Sequence, residues 1–337
     1  MKRGRPRPSI QDIADATGVS ITTVSHALNG KGRVQAETRE RVLRVADELG
    51  YTANVHAQRL ATGRNRMLAL QVSGSGKRML ASDSSYYVDV LDSAAAAALD
   101  AGYTPVIVPA RLPERAVEAL AVEGAIVIDP RGDEPLLRVV RDRGGLAVTA
   151  GRVLRDGEGW GSVDNDHRRL TRDALDHLLE RGYRRPALLT GTAARSFAAD
   201  AAAEYRAWAA EHGLPPIVVT VRAAPSASAA FAAAGKLLDR PDRPDAVYAS
   251  FDVFALGVLR AAAARGLRVP KDVGIVATVD GEGLRGAVPP VSAFDLHPSR
   301  IGKQTVATLV RMLEQDAPAE AVVVPAQLRP RESTERG

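Results

Sequence analysis

From Met67 onward, short apolar runs alternate with longer amphipathic stretches, and this alternation constrains the chain's fold more than any other feature. The runs are "LALQV" (68–72), "TPVIVPA" (104–110), "AIVID" (125–129), "LAVTA" (146–150), "PALLT" (186–190), "IVVTV" (217–221), "DAVYAS" (245–250) and "VGIVATV" (273–279). Five to seven residues, rich in Val and Ile and apolar on both faces, fit strands buried on both sides of a sheet. The stretches between them read as helices; in "YVDVLDSAAAAALDAG", Tyr87, Val90, Leu91, Ala94 and Ala98 share one face. Such alternation implies parallel sheets covered by helices on both sides. About 270 residues suffice for two such lobes, with a break expected near "GEGWGS" (157–162).

The first 66 residues are of a different kind. They hold twelve Lys and Arg against six Asp and Glu, a net +6, whereas the other 271 residues carry −1. A basic head on a neutral body points to a polyanion partner, with a solvated charged face as the plain alternative. The chain contains no cysteine, which removes disulfides, thiolate zinc sites and Cys nucleophiles from consideration. The six histidines show no metal-ligand spacing, so no metal is expected. The N-terminus is basic but lacks an apolar h-region, and no run is long enough for a membrane helix, so a cytoplasmic protein without membrane contact is expected.

Within the head, Ser9 and Asp12 form a capping-box-like start, and Ile10, Ile13 and Ala14 repeat at helical spacing. Gly18 ends that helix, and Ser20 caps a second one running to about Leu28. Val24, Ala27 and Leu28 face Ile13 and Ala14, whereas Ile21, Thr22, Ser25, His26 and Asn29 fall largely on the other side. A third helix, Ala36 to Leu49, closes the core with Val42, Val45, Ala46 and Leu49. Helix, three-residue turn and helix is the geometry that lays a second helix into the DNA major groove. The short residues Ile21, Thr22, Thr23 and Ser25 let a backbone come close while touching thymine methyls or donating hydrogen bonds. A generic three-helix bundle with hydroxyls facing water is the alternative.

"SIQDIADATGVSITTVSHALNG" followed by "VQAETRERVLRVADELGYTANVHAQRLATG" resembles the head and hinge of the lac-repressor (LacI/GalR) family of bacterial transcription regulators. The resemblance extends through "SVDNDHRRLTRDALDHLLERGYRRPALLTG", "PDAVYASFDVFALGVLRAAAARGLRVPKDVGIV", "PPVSAFDLHPSRIGKQTVATLV" and "RPREST", which are similar to the family's sensor, itself periplasmic-binding-protein-like. It implies an all-α helix-turn-helix head (1–52), a hinge helix and linker (53–66), and a sensor of two doubly wound parallel-sheet lobes (67–337). The first lobe is expected at about 67–160 plus 292–318, the second at about 162–290 plus the C-terminal tail.

What the resemblance implies for function is a repressor that binds a palindromic operator in double-stranded DNA as a homodimer. A small-molecule effector, a sugar or a nucleoside, would sit in the inter-lobe cleft, and no cofactor is expected. Carried over by position, the DNA-binding residues are Ser9, Ser20, Ile21, Thr22, Thr23, Ser25, His26, Asn29, Asn54, Arg59, Leu60 and Ala61. Leu60 is the leucine that wedges the central base step open in the minor groove. His26 stands where arginine is frequent, and lacks that residue's bidentate fork. Ala53 replaces the proline usual before the hinge, and Gln35 replaces a Ser/Thr cap.

The cleft departs further from the family's pattern. Phe251-Asp252 replaces Asn-Asp, Val279 takes one place of an Asp pair and leaves Asp280, and Ala201 and Glu204 stand where an arginine clamp and its glycine are frequent. The effector candidates are Tyr86, Tyr87, Arg152, Arg195, Phe251, Asp252 and Asp280, for each of which strand-end packing or loop solvation competes. "SGSGKRM" (73–79) lacks the first Gly of a P-loop and has Arg78 in place of Ser/Thr. Asp164 and Asp166 read as helix caps rather than a catalytic pair, and no Ser/His/Asp set stands in a nucleophile elbow. The competing functions are a solute-binding protein for a sugar-like ligand and an α/β enzyme. The wedge reading makes a direct prediction: Leu60→Ala keeps the dimer in size-exclusion chromatography and loses most operator affinity in a gel-shift titration.

Overall fold

A computed structural model describes residues 8–29, 34–51, 65–74, 85–111, 113–154, 159–222 and 226–336. The chain divides into two compact units, Met1–Asn65 and Arg66–Gly337. Asn54, Arg59, Leu60 and Ala61 lie outside the described residues, as does most of the expected hinge.

In the first unit, α1 (Ile10–Thr17), α2 (Ile21–Asn29) and α3 (Ala36–Glu48) enclose a small core. Ile13, Val24 and Val42, one from each helix, are fully buried at its centre. Ser9 and Asp12 form a reciprocal capping box, and Gly18 ends α1 at φ 69°, a left-handed conformation that glycine adopts without steric cost. At the start of α2 the Thr23 amide donates to Ser20 Oγ at 3.1 Å. Gln35 supplies no side-chain cap to α3, as its chemistry implies. Leu49, expected in the core, is instead 39% exposed. It is the C-cap of α3, and Tyr51 packs against the core beyond it.

The second unit contains two six-stranded sheets. The first is built from β1 (Met67–Val72), β2 (Thr104–Ile107), β3 (Gly124–Ile128), β4 (Leu146–Ala150), β5 (Gly161–Asp164) and β11 (Ala321–Val323), in the order β11-β5-β4-β3-β1-β2, all parallel. The second is built from β6 (Pro186–Thr190), β7 (Val218–Thr220), β8 (Ala246–Ala249), β9 (Gly274–Ala277), β10 (Ser292–Asp295) and β12 (Gln327–Arg329). Its order is β12-β10-β9-β8-β6-β7, parallel except for β12 at one edge. The central strands β3, β6, β8 and β9 are buried along their whole length, as their unbroken apolar sequences require.

Helices cover both faces of each sheet. On the first sheet, α4 (Ser85–Asp100) and α12 (Pro298–Gln315) share one face; α5 (Glu114–Glu118) and α6 (Pro135–Asp142) belong to the other. On the second, α7 (His167–Glu180) and α8 (Ser196–Glu211) face α9 (Ala227–Leu238) and α10 (Asp252–Ala263) across the strands. The single turn α11 (Glu282–Arg285) follows β9.

The chain passes between lobes three times, after β5, after β10 and between β11 and β12. The Asn165 side-chain amide ties all three crossings by donating to the carbonyls of Leu296 at 3.3 Å and Val324 at 2.7 Å. These boundaries differ from those expected. β5 belongs to the first sheet, so the first crossing follows Asp164 rather than residue 160, and β10 belongs to the second, so the return follows Asp295 rather than residue 292. The stretch 161–164, "GSVD", has no apolar run; its strand character comes from the ladders with β4 and β11.

Packing of α12 on α4 leaves no room at Gly302. A Cβ there would collide with Ser93 Oγ and the Val90 carbonyl oxygen and come within 2.9 Å of the Ala94 nitrogen. Gly302→Ala is expected to destabilise the protein by about 1–3 kcal/mol, measured as a lower midpoint in urea denaturation.

Candidate nucleic-acid interface and ligand cleft

On the outer face of α2, Ile21, Thr22 and His26 are exposed, and Ile21 keeps 45% of its surface in water. An isoleucine left on a polar, basic unit is the shape of an apolar contact to a base edge. Thr23 and Ser25 are half-buried. The hydroxyl of Ser20 is engaged in capping and lies 2.9 Å from Thr23 Oγ1, and that of Ser9 bonds Asp12 at 2.7 Å. Both therefore fix where α1 and α2 begin, which sets the position of the exposed face.

In the second unit, the carboxyl ends of the strands of both sheets meet at an inter-lobe cleft, the usual place for a ligand in doubly wound folds. Tyr86 and Tyr87, from the first turn of α4, enter it. Tyr86 packs against the first lobe's core and the α7/α8 side of the second; Tyr87 packs against the first lobe's core and the α9/α10 side. Their rings meet edge to face at 5.5 Å. Opposite them, Phe197 from α8 and Phe251 from the end of β8 are also edge to face, at 5.1 Å. With Val279 and Leu296 they line an inner chamber of about 20 Å³, room for roughly one water.

The polar groups of this chamber are Asp129, His167, Ser250 and Thr278. Asp129 closes β3 with φ 49°, in the left-handed region, and Oδ2 accepts from the Tyr87 hydroxyl at 2.6 Å. A Cβ at Gly151 would lie 3.0 Å from Asp129 Oδ1, so glycine there keeps the carboxylate uncrowded. Burial raises the Asp129 pKa, although Arg195 and the Tyr87 hydrogen bond oppose the rise. Burial likewise pushes both tyrosine hydroxyls up, with the charge of Asp129 adding to it. Ser250 Oγ is buried without a hydrogen-bond partner among the described residues.

A second, outer chamber of about 180 Å³ continues past Tyr86, Val279 and Leu296, and is lined also by Asp89, Asp280, Arg285, Asp295 and Pro298. Around the cleft, side chains bridge the lobes. The Arg152 guanidinium pairs with Asp200 of α8, its amide donates to Ser196 Oγ at 3.2 Å, and Arg195 Nη2 donates to the Ser73 carbonyl at 2.7 Å.

Of the expected effector residues, the structure brings Tyr86, Tyr87 and Phe251 together in the inner chamber. Arg152 and Arg195 bridge the lobes instead of lining either chamber. Asp280 reaches the outer chamber with both oxygens held by Arg331 at 2.8 and 3.0 Å, and Arg285 lies 3.1 Å away. Asp252 is buried, accepts from the Val253 amide at 2.8 Å, and lines neither chamber. Asp129, His167, Phe197 and Ser250 were not anticipated. Asp129 and Ser250 end the runs "AIVID" and "DAVYAS", so strand-end position was a usable signal; His167 and Phe197 lie on helix first turns and carry none.

Asp166 caps α7 as expected, accepting from the Arg169 amide at 3.0 Å, whereas Asp164 does not. Asp164 pairs with His167 Nε2 at 3.4 Å. Burial alone would lower the His167 pKa, but Asp164, by hydrogen bond and charge, with Asp129 and Asp200, outweighs it and raises the value above 6.5. Because the folded value is raised, this contribution to stability is complete below 6.5 and lost as pH rises through the folded-state value. The stability difference between wild type and His167→Gln, followed by denaturant midpoint, should therefore shrink from mildly acidic to mildly alkaline pH.

Residues 9–54 match the profile of bacterial regulatory proteins of the lacI family, and residues 175–334 that of the periplasmic binding protein-like domain. The HTH-type transcriptional regulator CelR of Thermobifida fusca is 30% identical over 98% of this chain and 99% of its own length. The regulator DegA of Bacillus subtilis is 27% identical over 97% of this chain and 98% of its own length. Among solved structures, the CelR–cellobiose complex is 27% identical with a TM-score of 0.73, covering 97% of this chain and all of that one. The lac repressor dimer bound to operator and the anti-inducer ONPF is 25% identical with a TM-score of 0.81, covering 98% and 99%. No helix among the described residues is long and apolar enough to cross a membrane. The chain belongs to the LacI family of bacterial transcriptional regulators, with a helix-turn-helix DNA-binding head joined to a periplasmic-binding-protein-like domain.

Proposed function

We propose that this regulator is a cytoplasmic repressor without enzymatic activity, binding a palindromic operator as a homodimer under control of a small molecule in the inter-lobe cleft. The observation that carries the DNA reading is the exposed face of α2, where Ile21, Thr22 and His26 stand clear of a core fixed by Ile13, Val24 and Val42. Ile21 offers a methyl contact, Thr22 a hydroxyl, and His26 a ring nitrogen to base edges. Thr23 and Ser25 extend that face, Asn29 is a further DNA contact by its position in the sequence, and Ser9 and Ser20 hold the helix starts that present their amides to phosphates. Asn54, Arg59, Leu60 and Ala61 act at the minor groove, with Leu60 as the wedge.

In the sensor, Tyr86, Tyr87 and Phe251 contact the effector. The pairs Arg152–Asp200 and Arg195–Ser73 make and break with lobe closure. A ligand that prefers one closure state shifts DNA affinity by its differential binding, typically about 1–3 kcal/mol. The relatives crystallised with cellobiose and with ONPF and operator support this reading.

The test is selection from random duplex oligonucleotides at low salt. A palindromic consensus should emerge, its affinity should fall steeply with added salt, and His26→Arg should change the preferred base at one position per half-site. Absence of any palindrome would refute the reading.

A further inference from the structure

The relative crystallised with cellobiose suggests a sugar effector, but the chamber lining here has a different chemistry. One wall is Phe197, Phe251, Val279 and Leu296, all at most 7% exposed. A polyol spread against it would strand hydroxyls, at about 1–3 kcal/mol for each one left unpaired. Asp129 from the first lobe and His167, Ser250 and Thr278 from the second supply the chamber's polar groups, and only Asp129 is a carboxylate.

Of the cations around Asp129, His167 pairs with Asp164 at 3.4 Å and Arg152 with Asp200, while Arg195 donates to the Ser73 carbonyl at 2.7 Å and acts on Asp129 only through its charge. Among the described residues, Asp129 accepts from the Tyr87 hydroxyl and has no ion pair, and Asp89 in the outer chamber also has none. In that outer chamber Asp280 is matched by Arg331 and Arg285, and Asp295 by Arg329 at 3.5 Å and His297 at 3.3 Å. Asp129 is held in a left-handed backbone conformation, the kind of strain that clusters at ligand clamps. Ser250 Oγ, 2% exposed and without a partner among the described residues, lines the same chamber.

We propose that the effector is a small organic ammonium ion, its charged nitrogen set against Asp129 among the rings of Tyr86, Tyr87, Phe197 and Phe251 and its compact body beyond Tyr86 in the outer chamber. Aromatic rings attract a desolvated cation through their quadrupoles, and a single charged group satisfies the carboxylate without stranding hydroxyls on the apolar wall. The inner chamber alone admits only about a water, so it takes the ammonium group, and the body extends past the Tyr86 ring into the outer chamber of roughly 180 Å³. Asp89 favours entry of a cation from that side. This inference rests on the cleft being the effector site.

Calorimetric titration of the full-length protein with benzylammonium, its neutral isostere benzyl alcohol, and cellobiose tests it. Benzylammonium should bind about tenfold or more tightly than benzyl alcohol, cellobiose should give no heat, and Asp129→Asn should abolish the advantage of the cation. Equal binding of the two isosteres by wild type, binding of cellobiose in preference, or no binding of benzylammonium would each overturn the proposal, and none of these depends on the variant folding. Operator affinity of the same preparation is measured separately. Failed operator binding strikes the regulatory reading and leaves the ligand class to the titration, whereas operator affinity indifferent to bound benzylammonium overturns the ammonium ion as effector.

Discussion

A parallel sheet must be covered on both faces, because its strands are joined by crossovers that place helices on either side. Most other features of the larger unit follow from that constraint. Strands such as β3, β6, β8 and β9 must be apolar throughout, so polar and chemically useful residues are pushed to the strand ends. Asp129, Ser250 and Thr278 stand at or just beyond the carboxyl ends of β3, β8 and β9, and the cleft is where these ends face one another. The site is thus a consequence of sheet topology, and Asn165 ties together the three chain segments about which the two lobes are joined.

Within the cleft, the same side chains that could recognise a ligand also hold the lobes. Tyr86 and Tyr87 are anchored in the first lobe yet pack against opposite faces of the second. The Arg152–Asp200 pair crosses the gap, while among the described residues Asp129 accepts from a tyrosine hydroxyl and has no ion pair.

The head shows how much of a small unit can be legible in advance. Capping by Ser9, Asp12 and Ser20, the left-handed Gly18, and the core of Ile13, Val24 and Val42 all involve residues close in sequence or related by helical period, so local chemistry names them. Leu49 went astray because periodicity continues past the point where the core ends. In the larger unit the eight apolar runs announced eight strands, while β5, β10, β11 and β12 went unannounced. Each has only three or four residues, and their extended form depends on neighbouring ladders rather than on their own side chains.

By itself, the amino-acid order determined the architecture of a three-helix head and parallel lobes, since these follow from periodicity and caps that act over a few residues. The family, and the standing of Phe251, Val279 and Ala201 where polar residues are frequent in it, came from the resemblance of whole motifs. Only the tertiary structure decided what stands in the cleft. That Asp129 meets Tyr87, that Arg152 reaches Asp200, and that Asp252 lines neither chamber involve contacts between segments whose distances no local pattern encodes. Side-chain direction at a strand end is set by what packs against it, and that is a property of the assembled fold.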